Sequence, residues 1–273
     1  MTDQDLPWIW TGLLGSLFAM LAAWEVYFPN DKKPPHRDQR WPANLALGIL
    51  NASLATLVPI TSIWMAVWAG QHEFGIMNWA KLSSSTSVLA TWVIYSFATY
   101  ALHRLSHAIP WLWRLHRIHH CDPHLDISTT LRHHPLETVV YTLFLGSIAA
   151  SMGLRPSGIA SYELVAFVIG AFSHGNIAVP AALDRAMSWL VVTRAFHRLH
   201  HSVEQPETDS NFAEVFAVWD RLFGTCSRPR QGVRCGLDEV AAHEAGSLMW
   251  QLKMPWLNIE APHTKAASRA SAD

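Results

Sequence analysis

Ten of the 16 histidines in this chain fall at helical spacings: His103 and His107; His116, His119 and His120; the looser His134 and His174; and His197, His200 and His201. Side chains at i, i+3 and i+4 of a helix share a face, so His-x-x-His-His aims three imidazoles one way and His-x-x-x-His aims two. Imidazole is the commonest metal-binding side chain and suits iron, zinc and copper. Ten such rings supply four or five nitrogens to each of two ions, and a dinuclear metal site is the expectation. A lone histidine on an apolar helix is ordinarily a hydrogen-bonded structural residue. Two copies of His-x-x-His-His about eighty residues apart are a different matter. His36, His72, His243 and His263 stand alone in polar or terminal stretches and read as solvated side chains, as does His124 in its Pro-containing turn.

An all-imidazole shell leaves two dications uncompensated, which is costly near lipid unless anions stand close. A ligating imidazole also tends to give its other N–H to a carboxylate or carbonyl. The outer partners expected from their place in or near the motifs are Asp122, Asp126, Glu137, Asp209 and Asp220, with Glu204 beside them and the amides Asn176 and Asn211. Most surface acids are simply solvated, and Asp220 has Arg221 beside it as an alternative partner. No Ser-His-Asp or Cys-His arrangement is indicated, and no catalytic residue is expected beyond the metal centre.

The elements that must position these residues are apolar. The 273-residue chain is 50% hydrophobic and 15% charged, with 14 tryptophans, a composition that points to a bilayer. Trp8 to Phe28 is long enough to cross about 30 Å of hydrocarbon, and Asp3 and Asp5 before it are unlike a cleaved leader. Ala43 to Gly70 is longer and is expected to kink or break near Asn51, Pro59 and Thr61. Ser87 to Leu102, Thr138 to Leu154 and Ile159 to Phe172 are shorter runs, the last two forming a helical hairpin about Gly153 to Gly158. Lys32, Lys33, Arg37 and Arg40 crowd the first loop, whereas Gln71 to Thr86 holds only Lys81, which places the first loop and all the histidine groups on the cytoplasmic side. The three cysteines, Cys121, Cys226 and Cys235, form no disulfide framework and fit reduced thiols. A net charge of −1 gives no sign of nucleic-acid binding.

Six motifs occur in an order that resembles the fatty acid hydroxylase superfamily and, within it, the sterol desaturase family. They are His103-Arg104-Leu105-Ser106-His107, Leu112 to His120, Arg132-His133-His134-Pro135-Leu136-Glu137, Ser173-His174-Gly175-Asn176, His197-Arg198-Leu199-His200-His201 and Trp219 to Thr225. The resemblance implies an all-α integral membrane protein with a cytoplasmic helical cap carrying the histidine boxes, a non-haem centre of two iron ions, dioxygen as oxidant and a lipid substrate. It carries ligand status to the ten histidines of the opening set, with His134 chosen over His133 because it matches the motif. One histidine stands at the fourth motif where some relatives have a pair, and Asn211-Phe212-Ala213 departs from a more usual ending in glycine.

The domain organisation expected is membrane helices over 1–84, the catalytic region over 85–230 and a polar C-terminal tail over 231–273. The activity expected is hydroxylation or desaturation of an unactivated C–H position of a sterol, fatty acyl or related lipid. Zinc can stand in for iron in purified protein. No dinucleotide fingerprint, haem motif or iron–sulfur cysteine set is present, so electrons are expected from a ferredoxin or cytochrome b5-like partner. A membrane metal transporter and a catalytically inactive metal-binding relative are the other readings.

Overall fold

A computed structural model describes residues 6–31, 36–57 and 61–258. Pro59, Lys32, Lys33, Asp3, Asp5, His263 and the closing polar stretch, which entered the expectations above, lie outside the described residues. Among the described residues the chain is helical throughout, without a strand, and shows only isolated bridges such as Ser202 with Cys235.

The long helices are α1 (Leu6–Tyr27), α2 (Arg37–Leu57), α3 (Ser62–Gln71) and, after the short α4 (Ile76–Trp79), α5 (Ser84–Ala108). There follow α6 (Pro110–His120), a 3-10 turn over Ile127–Leu131, α7 (Pro135–Met152) and α8 (Pro156–His174). A cap of short helices closes the chain: α9 (Ala181–Met187), α10 (Arg194–His200), α11 (Gln205–Thr208), α12 (Val218–Leu222), α13 (Ala242–Ala245) and α14 (Leu248–Lys253). The long apolar run from Ala43 therefore divides into α2 and α3, and α7 and α8, joined by the expected turn, each pack on α3 and α5 rather than along one another.

Local chemistry sets these boundaries. Ser83 and Thr61 cap α5 and α3 by accepting from Thr86 N and Trp64 N. Pro110, Pro135 and Pro156 open α6, α7 and α8, where the missing N–H costs nothing. Gly153 ends α7 in the left-handed region at φ 67°. Opposite it, Gly75 has φ 98°, and a Cβ there would stand 2.4 Å from Gly153 N, so the turn before α4 and the α7–α8 turn meet backbone to backbone.

Tyr95 and Leu102 of α5, Leu145 of α7 and Ile159 and Tyr162 of α8 form the main core, with α3 packed along α7 and α8. α7 and α8 are each long and apolar enough to cross a membrane. Large apolar side chains face outward on other helices as well, among them Ile49 on α2, Trp64 on α3 and Leu89 and Val93 on α5.

Beneath the cap a polar network is buried whole. Arg40 donates to both oxygens of Asp122 at 2.9 and 3.0 Å and to Asp126, and all three residues are inaccessible. Arg132 donates to Ile118 O, Asn44 Oδ1 and Ala245 O. Residues 231–258, expected as part of a polar tail, dock instead on this layer: Arg117 donates to Met254 O and to Leu257 O, because a buried guanidinium must find carbonyl acceptors.

Candidate metal centre

Four elements deliver imidazoles to one place. The last two turns of α5 supply His103 and His107, α6 supplies His116, His119 and His120, the end of α8 supplies His174, and α10 with its cap residue supplies His197, His200 and His201. The nine rings sort into two groups whose ligand atoms lie within 4.8 Å of one another: His103, His107, His116, His120 and His200 in one, and His119, His174, His197 and His201 in the other. All nine are at most 6% exposed. The groups adjoin, with the rings of His120 and His201 stacked at 4.5 Å.

The tautomers decide what these contacts mean. His103 Nδ1 lies 2.7 Å from Phe212 O, His200 Nδ1 2.8 Å from Ser210 O and His174 Nδ1 2.7 Å from Gly170 O. A carbonyl only accepts, so each Nδ1 carries the proton and each Nε2 of the neutral ring is a bare lone pair. Yet His103 Nε2 and His200 Nε2 face each other at 3.1 Å with no proton to share. In the other group the bare Nε2 of His174 stands 3.0 Å from His119 Nε2 and 2.9 Å from His197 Nε2. Burial first, and the neighbouring histidines second, push His119, His120, His197 and His201 below the usual imidazole range, and His200 down to about 3. An imidazolium is thus disfavoured as the missing positive charge, and a cation between the nitrogens fits. Ligands about 2.0–2.1 Å from one ion at right angles stand about 3 Å apart, the spacing seen here.

The tenth ring is elsewhere. His134 caps α7 by accepting from Leu136 N, and its Nε2 lies 3.2 Å from Leu252 O, so it is brought to neither group. His133 turns inward in its stead. It stacks on His119 at 4.7 Å and reaches Glu137 Oε2 at 3.4 Å, and it forms a third set with His116 and Glu137. Pro135 at the first helical position fixes this exchange, because the residue before it is held extended and takes the capping role. The isolated His36, His72 and His243 are exposed, and the half-buried His124 joins neither group.

The expected outer partners divide in the same way. Glu137 Oε1 accepts from His116 Nδ1 at 2.6 Å and Asp209 Oδ1 lies 3.2 Å from His107 Nδ1. Asp122 and Asp126 are instead committed to Arg40, and Asn176 exchanges hydrogen bonds with Asp31. Asn211 and Asp220 act through the backbone. Asn211, at φ 56°, donates to Phe196 O and Ser227 O, and Asp220 accepts from Phe212 N, Ala213 N and the Thr225 hydroxyl. Together they shape the loop that presents Ser210 O and Phe212 O to His200 and His103. Glu204 bonds through its backbone N–H to Ser202 Oγ.

A cavity of about 390 Å³ opens from the two groups toward α3, α5, α7 and α8. His103, His116, His119, His174 and His197 form its floor, and Tyr141, Leu145 and Ala166 are among its walls. Two acids on its lining, Glu163 and Glu214, were not singled out from the sequence, since neither lies in a histidine motif. Burial pushes the Glu214 carboxyl up to about 7.

Residues 88–225 match the family model described as fatty acid hydroxylase. Among curated proteins, the chain is 27% identical over 239 residues to "Ornithine lipid hydroxylase OlsE" of Rhizobium tropici, covering 84% of this chain and 70% of that protein. It is 24% identical over 211 residues to "Alkylglycerol monooxygenase" of Homo sapiens, covering 75% of this chain and 44% of that one. It is 28% identical over 173 residues to "Cholesterol 25-hydroxylase" of Rattus norvegicus, covering 62% and 56%. The match thus spans about half the length of the last two relatives. No solved structure matches the chain.

Proposed function

Because the chain belongs to the fatty acid hydroxylase family, we propose that it is a membrane-bound oxidoreductase that uses two iron ions, dioxygen and external electrons to hydroxylate an unactivated C–H position of a lipid. One observation carries the reading: two groups of buried imidazoles, with bare nitrogens aimed at neighbouring rings, form the floor of a cavity that runs between the apolar helices α7 and α8. That the relatives are hydroxylases and monooxygenases by name favours hydroxylation over desaturation.

His103, His107, His116, His120 and His200 would hold one ion and His119, His174, His197 and His201 the other. The ions, once bound, supply the redox chemistry that activates dioxygen. The chain's own residues do the rest. Glu137 and Asp209 fix the rings of His116 and His107 and bring negative charge to a cationic centre. The carbonyls of Gly170, Ser210 and Phe212 hold three more rings in one tautomer. Glu214, pushed up to about 7 by burial, places a carboxyl group that can gain or lose a proton near neutral pH on the cavity wall. The aliphatic and aromatic wall seats an apolar substrate and excludes water.

The histidines stand at helix ends rather than in the middle of a span, which supports an oxygenase over a transporter with ligands at mid-membrane. Outward-facing apolar side chains on α2, α3 and α5 support a multi-pass arrangement, and the basic first loop supports a cytoplasmic cap. Exposed Arg104 and Arg114 flank the first two boxes and offer a ferredoxin or cytochrome b5-like donor a positive face.

The test is metal analysis of purified, folded protein together with a lipid comparison of cells with and without the gene. Two ions per chain and a lipid that loses one oxygen when the gene is removed are expected. One ion or fewer in fully loaded protein, or an unchanged lipid profile with active electron supply, overturns the reading.

A further inference from the structure

The cavity that has histidines at its floor carries a hydrogen-bonding group far from them. Glu163 lies within α8, one of the two helices apolar enough to span, and a carboxyl group in such a helix is costly and tends to mark a functional position. Its Oε1 accepts from the Tyr95 hydroxyl at 2.7 Å. The same hydroxyl stands 2.9 Å from Ser62 Oγ, and Tyr95 is 2% exposed. Tyrosine has one proton, so with Glu163 ionised Tyr95 donates to Glu163 and accepts from Ser62. All three residues line the cavity, and the second Glu163 oxygen has no partner among the described residues. The relay therefore ends in an acceptor open to the cavity.

Two plainer accounts fail. Satisfying Tyr95 does not require a carboxyl group, because the Ser62 oxygen is already within reach. Compensating the metal charge falls to acids nearer the rings, such as Glu137 and Asp209, whereas Glu163 touches no histidine. Tyr95 precedes His103 by eight residues on α5, and Glu163 precedes His174 by eleven on α8. At 1.5 Å per helical residue the relay sits roughly 12–16 Å from the histidine layer.

We propose that Glu163, oriented by Tyr95 and Ser62, is a substrate-recognition group that accepts a hydrogen bond from a hydroxyl or ammonium group within the cavity. The substrate is then an amphiphile whose polar donor is held away from the metal centre while an apolar segment reaches it. The proposal rests on the oxygenase reading for what the cavity admits. It also gives the enzyme a ruler, since the distance from relay to histidines selects which carbon is presented.

The test uses the full metal-loaded chain in lipid nanodiscs and three alkyl probes of one length, ending in an alcohol, an ammonium or a methyl group, with affinity read by calorimetry. The donor-ended probes should bind about tenfold more tightly than the methyl-ended one. Glu163→Gln should keep the alcohol's advantage and lose the ammonium's, because the amide still accepts but carries no charge. Glu163→Leu should lose both and leave the methyl-ended probe unchanged. Tyr95→Phe, a milder variant that keeps the carboxyl group but frees it, should reduce the advantage about threefold. Equal affinity of the three probes for the native protein, or an unchanged ratio in the Glu163 variants, overturns the proposal. Metal content and dioxygen uptake are measured on the same samples. Their failure speaks against the oxygenase reading, while the ratio of affinities reports on Glu163 alone.

Discussion

Two buried polar regions lie close together in this protein and are built on opposite principles. Around Arg40 and Arg132, opposite charges meet: the Arg40 guanidinium bonds Asp122 and Asp126, and Arg132 donates to Ile118 O and Ala245 O. Around His103 and His174, like meets like: the bare nitrogens of His103 and His200 face each other at 3.1 Å, and the bare Nε2 of His174 meets two more imidazoles at 2.9 and 3.0 Å. The first region balances its own charges and is scaffold. The second has lone pairs that a cation would satisfy, and this contrast points to it as the candidate metal centre without reference to any relative.

The sharpest way to break the contrast is to remove one member of each region. His119→Ala or His200→Ala should lower metal content by about one ion per chain or more and reduce turnover at least ~100-fold, with His36→Ala as an unaffected control; atomic absorption and product analysis read both. Asp122→Ala should do the reverse. It leaves Arg132 buried without its carboxylate and Arg40 with Asp126 alone, and should cost about 3–5 kcal/mol of stability, seen in denaturant titration, while metal per folded chain stays unchanged.

Glu137→Gln and Asp209→Asn probe the border between the regions. Each removes charge beside a candidate ligand and should weaken metal affinity about 10–100-fold by competition with a chelator, with little loss of fold. The smallest effect belongs to His134→Ala. Losing a helix cap should cost about 1 kcal/mol in thermal unfolding, with the metal content retained. Loss of an ion in His134→Ala would restore His134 to the ligand set and count against the sorting of the nine rings.

How much of this was legible in the sequence follows from what each inference needed. The box histidines follow helical periodicity, and spacing alone places His103 with His107 and His116 with His120. The choice between His133 and His134 depends on which residue caps α7, a matter of one backbone torsion ahead of Pro135. Asp122 and Asp126 sit beside a histidine box in sequence, but Arg40, some eighty positions earlier, claims them. Asn211 and Asp220 act through carbonyls that have no letter in a motif. Glu163 and Glu214 are isolated acids whose meaning comes only from the cavity they share.

The sharing of α6 and α10 between the two groups has a mechanical consequence. α6 gives His116 and His120 to one group and His119 to the other, while the α10 segment gives His200 to the first and His197 and His201 to the second. A rotation of either helix moves ligand atoms of both groups at once. If each group holds an ion, as proposed, the first to bind would immobilise the helices that the second requires, and occupancy would be cooperative.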